Sequence, residues 1–187
     1  MMPGGPDPTL PMPHEHPFLH DFYDGDLTIR LCGPSDIADV ETVWSHPSFM
    51  RMFPELDFDG SAPDPTWLRE LVETSIRRRR ILAIENDDHG LVGTLVVHFY
   101  RTATPTLGWY VDPEHRSKGY ATRAAWMALE RLNLVYEGVR ISVAEDNEAS
   151  LRVLGKLEIL SGMLEEEPGE APRSSVAGID DAPRPAV

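Results

Sequence analysis

The sequence predicts an α/β (α+β) fold, a mixed and mostly antiparallel central sheet flanked by helices. Two observations lead to that class. Strand-like and helix-like stretches alternate over residues 26–157 in the order β-α-α-β-β-β-α-β-α, with three strands following one another directly, as an antiparallel meander requires. The run Gly108–Thr122, GWYVDPEHRSKGYAT, then carries an apolar strand into a short polar loop with Arg116, Lys118 and Gly119, and on into a helix. A strand feeding a cationic, glycine-containing loop at a helix N-terminus is an anion cradle, because the first amides of a helix have no internal acceptor.

Taken in order, Leu27–Cys32 reads as a short strand, and Gly33-Pro34-Ser35-Asp36 offers a turn and an N-cap for a helix through about Trp44. His46-Pro47 breaks that helix, and a short helical segment follows to about Met52. Asp64 caps the next helix with Pro65 at its first position, and Trp67, Leu68, Leu71, Val72 and Ile76 recur at helical spacing. Ile81–Glu85 and Leu91–Tyr100 are strands joined by a hairpin turn at Asn86–Gly90, and Pro105–Val111 is the third. Ala121–Asn133 is a helix whose small face (Ala121, Ala124, Ala125, Ala128) suits close packing on a sheet. Gly138–Ala144 reads as a strand, Asn147–Leu157 as a helix, and Ile159–Leu164 as a weak strand.

Composition sets the limits. The 187 residues suffice for one α/β domain with a real core, expected over 26–164. Residues 1–25, with prolines at 3, 6, 8, 11, 13 and 17, read as a disordered arm, and 165–187 read as a disordered acidic tail. No apolar run approaches the ~20 residues of a membrane span, and no basic-then-apolar leader is visible. Cys32 is the only cysteine, which excludes an internal disulfide and an all-cysteine metal site; a reducing, cytoplasmic setting fits. The formal net charge is -14, a balance that argues against non-specific nucleic-acid binding; it is compatible with a basic acceptor such as an amine, and solubility alone also explains it. The four-arginine run Arg77–Arg80 is read as a solvated helix end. His14, His16 and His20 with Asp21 and Asp24 lack tight ligand spacing, so no metal is expected.

The loop is neither G-x-x-x-x-G-K-[ST] nor the three-glycine dinucleotide fingerprint. Arg116-Ser117-Lys118-Gly119-Tyr120-Ala121 instead resembles the [RQ]-x-x-G-x-[GA] pyrophosphate loop of the GCN5-related N-acetyltransferases (GNAT). Val111-Asp112-Pro113 before it, with Thr122 and Ala124 after it, resembles the branch that acetylates ribosomal-protein N-termini. A second stretch, Asn147-Glu148-Ala149-Ser150-Leu151-Arg152-Val153-Leu154-Gly155-Lys156-Leu157, is similar to the N-x-x-S-x-R-V-L-x-K-L helix of the same branch. Two motifs in the family's order are far more specific than either alone. The resemblance covers about residues 26–157 and implies a GNAT fold.

The resemblance implies acetyl-CoA as co-substrate, with Arg116, Ser117, Lys118, Gly119, Tyr120, Ala121 and Thr122 at the pyrophosphate. It places Asn147 at pantetheine and the Ser150 hydroxyl near the leaving sulfur. It also implies that the strand Pro105–Val111 splays from the next one, so that CoA inserts between them and the amides of Trp109 and Val111 bond the acetyl carbonyl and the pantetheine. An amide aimed at that carbonyl stabilises the tetrahedral oxyanion. The structural alternatives are a simple helix cap at Asn147 and ordinary core packing of Trp109 and Val111.

The chain departs from the family in three places. The usual tyrosine seven residues after the Asn is Leu154, and the usual carboxylate before the strand's Leu-Gly is Thr106. His98, whose unperturbed pKa lies near ~6.5, is therefore the candidate general base, with Glu145 and Asp146 as alternatives. After Lys156-Leu157 the family's K-L-G-F and long hairpin are replaced by Glu158-Ile159 and then Glu165-Glu166-Glu167-Pro168-Gly169, so the last strand or strands read as eroded. An uncovered strand edge invites pairing, and either a homodimer covering it or a compromised protein is expected. The expected activity is acetyl transfer to a primary amine, on a protein N-terminus or a small molecule. The rival reading is a non-catalytic acyl-CoA-binding or interaction module.

Overall fold

The computed structural model describes residues 17–52, 62–99, 104–141, 143 and 146–161. A five-stranded sheet in the order β1-β2-β3-β4-β5 forms its centre, with every neighbouring pair antiparallel. The strands are β1 Phe22–Asp24, β2 Leu27–Leu31, β3 Ile81–Asn86, β4 Gly90–His98 and β5 Thr106–Val111. The helices are α1 Ile37–Trp44, α2 Pro65–Arg77, α3 Tyr120–Asn133 and α4 Glu148–Ser161. A 3-10 turn over Pro47–Met52 follows α1.

The sheet is buried on both faces, which is why β3 reads as an apolar run rather than an alternation. Because side chains alternate along a strand, Leu82, Ile84, Leu95, Val97 and Leu107 face α3 and α4, while Ile81, Ala83, Val96 and Tyr110 face α1 and α2. The small side of α3 does what its residues suggest: Ala124, Ala125 and Ala128 are fully buried. Leu132 and Leu157 lock α3 and α4 into the same core, and burying each such side chain is worth roughly 1.5–3 kcal/mol. On the other face the Trp44 indole N–H donates to the buried Thr94 hydroxyl at 2.9 Å, satisfying both groups.

β4 and β5 come unusually close at Gly93. A Cβ there would lie 2.5 Å from the Tyr110 carbonyl oxygen and 3.0 Å from Val111 Cα, so only glycine permits this registration. At the other side of the sheet, Arg30 forks onto Asp36 (2.8 Å to each oxygen) and also reaches Glu85 at 2.6 Å. The Arg30 guanidinium holds the Asp36 carboxyl below the usual carboxylate range. Asp36 therefore does not cap α1 with its side chain; it ties β2 to the turn, accepting from Gly33 N at 2.7 Å. Burial, with Asp36 adding to it, pushes the Cys32 thiol up to about 12, so it packs as an inert apolar group.

Three sequence expectations change. Residues 17–25, read as part of a disordered arm, are structured: Phe22–Asp24 pairs with β2, and Phe18 and Phe22 lie in the core. Ile159–Leu164 was expected as a strand, but α4 continues through Ser161; 162–164 lie outside the described residues. Gly138–Ala144 was expected as a strand, but among the described residues it contributes a single parallel bridge, Arg140 with Thr106. Ser142, Ala144, Glu145 and Tyr100 lie outside the described residues, as do the histidines at 14 and 16.

Candidate functional site

β5 has two unlike halves. At its start the backbone pairs outward: Arg140 N–H donates to the Pro105 carbonyl at 2.8 Å and Leu107 N–H donates to the Arg140 carbonyl at 2.9 Å. Alternation along the strand then sends the Trp109 and Val111 amides to the same outer side as that of Leu107, away from β4. Among the described residues neither of those two amides has an acceptor there. Trp109 itself is half-buried against the α3 core, and Val111 is buried.

The strand runs directly into the cationic loop. Asp112 closes a short 3-10 turn over Pro113–His115 by accepting from Glu114 N at 2.9 Å. Ser117 (φ 63°) and Gly119 (φ 84°) are both left-handed. Such alternation of backbone handedness turns successive N–H groups toward one concave side, the geometry of an anion nest. A non-glycine residue in this region is uncommon, so Ser117 stores some strain at the loop.

Gly119 is the N-cap of α3 and offers no side-chain cap, and a Cβ built there meets nothing within 4 Å. Glycine is thus required by conformation and leaves the helix end sterically open. The first bond of α3 is Arg123 N–H to the Gly119 carbonyl at 3.1 Å. Among the described residues the amides of Tyr120, Ala121 and Thr122 have no acceptor, and the helix dipole favours negative charge where they point. Tyr120 is buried in the α3 core and anchors this turn, and Lys118 Nζ stands 6.0 Å from the centre of its ring.

Arg116 is directed partly inward. Its Nε donates to the Val111 carbonyl at 2.9 Å, its Nη2 donates to Ser48 Oγ at 2.8 Å, and its guanidinium stands over the Tyr110 ring at 5.4 Å. Nη1 is left with no acceptor among the described residues. The start of α3 is also fixed from the side: Arg123 pairs with Asp24 at 2.6 Å and Asp26 at 2.8 Å, and it donates to the Asp24 carbonyl. The Asp26 carboxyl is bonded in turn by the buried Asn86 amide at 2.6 Å. Arg123, and after it Asn86, hold the Asp26 pKa below its ordinary value. This brace was missed in the sequence; the Gly25-Asp26 pair, a two-residue hairpin turn with glycine at its first position, was available to reveal it.

Asn147 caps α4. Its Oδ1 accepts from Ser150 N at 3.1 Å, and its carbonyl accepts from Leu151 N at 2.9 Å. The cap engages only the oxygen of the carboxamide, so the Nδ2 donors are not consumed by it. Asn147 and Ser150 share a face by their i, i+3 spacing, and both are half-buried. α3 and α4 pack side by side on one face of the sheet, so both helix starts belong to the same layer.

His98 stands apart from this set. It pairs across the sheet with Thr106, at the closed end of β5, and its side chain lies on the α1/α2 face with Val96. Burial, reinforced by the nearby Arg80 charge, brings its pKa down to about 4. It is neutral at physiological pH but a weak proton acceptor, which disfavours it as general base. Among the described residues no group of three histidine, cysteine or acidic side chains could hold a metal ion, and no helix is long and apolar enough to cross a membrane.

The folded chain resembles solved structures of one kind. An acetyltransferase of the GNAT family from Bacillus anthracis superposes with a TM-score of 0.63 at 23% identity, covering 74% of this chain and 82% of that one. A ribosomal-protein-S5-alanine acetyltransferase from Vibrio fischeri gives 0.55 at 18%, covering 74% and 81%. A spermidine N-acetyltransferase from Vibrio cholerae, in complex with CoA and spermine, gives 0.58 at 18%, covering 72% and 80%. No curated protein sequence matches the chain. The family description "Acetyltransferase (GNAT) domain" matches residues 26–159, most of the chain and all of the sheet from β2 onward together with the loop and α3, so the chain belongs to the GNAT acetyltransferases.

Proposed function

We propose that the chain transfers acetyl from acetyl-CoA to a primary amine by direct attack. The observation that carries this reading is the open N-terminus of α3, with the left-handed Ser117 and Gly119 ahead of it, reached directly from the outward amides of Trp109 and Val111. In this reading the amides of Ser117–Thr122, with Lys118 and the outer donors of Arg116, hold the pyrophosphate. The Val111 amide meets the pantetheine arm, to which Asn147 Nδ2 also donates. The neutral amine nitrogen bonds to the thioester carbon, the Trp109 amide holds the resulting oxyanion, and its collapse breaks the C–S bond; the proton that nitrogen loses passes through water to the leaving thiolate, giving the CoA thiol. The positive end of α4, with Ser150 in its first turn, lies where thiolate charge develops.

The acceptor class is a protein α-amine or a small amine. The structural neighbours include a ribosomal-protein acetyltransferase and a spermidine acetyltransferase, and the acidic balance of the chain suits either kind of basic acceptor. We assign no fixed side chain as general base. The helical continuation of α4 through Ser161, where a strand was expected, favours a second reading, an acyl-CoA-binding module without turnover. Titration with acetyl-CoA followed by a turnover assay on a panel of amines and N-terminal peptides tests both. Binding with turnover supports transfer, binding without turnover supports the module, and no binding removes both.

A further inference from the structure

A polar junction on the α1/α2 face belongs to no step above. Ser48, in the 3-10 turn Pro47–Met52, accepts from Arg116 Nη2 at 2.8 Å and lies 2.9 Å from the Tyr110 hydroxyl and 2.9 Å from His46 Nδ1. The Ser48 amide also donates to His46 Nδ1 at 3.1 Å, so that nitrogen is an acceptor. The remaining directions follow. The Ser48 hydroxyl donates to His46, and Tyr110 donates to Ser48, so the one donor and two acceptor sites of this hydroxyl are all used. Phe49, next in the turn, is fully buried, stacks on Trp44 at 4.5 Å and meets Tyr110 edge-on at 5.3 Å. A single serine therefore joins the loop, β5 and the turn that follows α1.

The junction spans the sheet. The helix starts proposed to hold CoA lie with α3 and α4, whereas the 3-10 turn lies on the opposite face with α1 and α2. Arg116 connects the two, because the guanidinium bound to Ser48 is the one whose Nη1 remains for phosphate. Drawing Arg116 onto a dianionic diphosphate must strengthen, shift or break its bond to Ser48, and the turn holding Phe49 follows.

Resting on the acetyl-CoA reading, we infer that Ser48 is a positioning residue that couples occupancy of the phosphate loop to the Pro47–Met52 turn, so that donor binding orders the opposite face of the sheet. The coupling is a linkage between two sites through one shared hydrogen-bonded group.

Amide hydrogen exchange of the full chain with and without saturating CoA tests this. In wild type, CoA should slow exchange both in 116–122 and in 47–52. Ser48→Ala should keep the response in 116–122, lose it in 47–52, and weaken CoA binding no more than about tenfold, the size of one hydrogen bond to a charged group. Ser48→Thr, which restores the hydroxyl, should restore the response. Tyr110→Phe, which spares the Arg116–Ser48 bond, should leave it intact. If Ser48→Ala loses its cooperative thermal transition, Arg116→Lys, which cannot reach both acceptors, takes its place and should uncouple the turn from the other end. CoA binding without a wild-type response in 47–52, or a response that survives both Ser48→Ala and Arg116→Lys, overturns the coupling alone. Absence of CoA binding to wild type overturns the underlying reading as well.

Discussion

The N-termini of α2 and α3 are built in opposite ways. Asp64 closes α2, its Oδ1 accepting from Trp67 N at 2.8 Å, and Pro65 removes one of the orphan donors outright. Gly119 leaves α3 open, with no side-chain cap and with free space where a side chain would sit. α2 serves packing and closes its own donors. A helix that leaves three amides facing outward beside Lys118 and Arg116 is shaped for an anion supplied from outside. α4 lies between the two, since Asn147 caps it with the oxygen and keeps its amide donors.

The strongest way to break this contrast is to close α3. Gly119→Glu places bulk and negative charge at the opening and should weaken CoA about 100-fold or more, through the loss of several charge-assisted contacts. The left-handed φ of 84° adds only about 1–2 kcal/mol of strain, so a single thermal transition should survive. Retained CoA affinity in calorimetry would mean that the open end is not the anion site.

A second test separates the closed end of β5 from the open one by pH. The folded pKa of His98, about 4, lies below the unfolded value near 6.5, so the unfolded chain binds more protons between them. Its contribution is therefore lost as pH falls from about 6.5 toward 4, by roughly 3 kcal/mol in all. His98→Gln should flatten the slope of stability against pH in that window and leave CoA affinity at pH 7 unchanged. A slope identical to wild type would contradict the burial argument. An affinity change would join His98 to the donor site.

Asn147→Ala should do two things at once. Loss of the cap costs about 1 kcal/mol in chemical denaturation, and loss of the carboxamide donor weakens CoA about tenfold. A stability change without an affinity change would reduce Asn147 to a cap. Asp64→Ala is the smallest effect and the control for α2: about 1 kcal/mol of stability with CoA affinity unmoved.

The parts of the fold set by local signals were legible in the sequence. Asp64-Pro65, the Asn86–Gly90 turn, the alanine face of α3 and the Arg116–Ala121 loop each encode their geometry within a few residues, and they appear where expected. What depended on partners far along the chain was not legible. The Ser48–Arg116 bond joins positions 68 apart, and the Arg123–Asp24 brace joins positions 99 apart. β1 was lost because a proline-rich arm was read through to residue 25, into the Gly25-Asp26 turn signal. The end of α4 failed for another reason. Ile159-Leu160, followed by Ser161-Gly162, is too short an apolar run to separate the helical period from the strand period, and continuation of the existing helix decided it.

The most direct measurement is an amide NMR titration of the full chain with CoA and, in parallel, with pantetheine, which lacks the pyrophosphate. CoA should shift the amides of Ser117–Thr122 and Val111, pantetheine should move Val111 without moving Ser117–Thr122, and the Trp67 amide at the closed start of α2 should be unmoved by both. Equal shifts at Ser117–Thr122 from both ligands, or none from CoA, would contradict the claim that the open end of α3 holds the diphosphate.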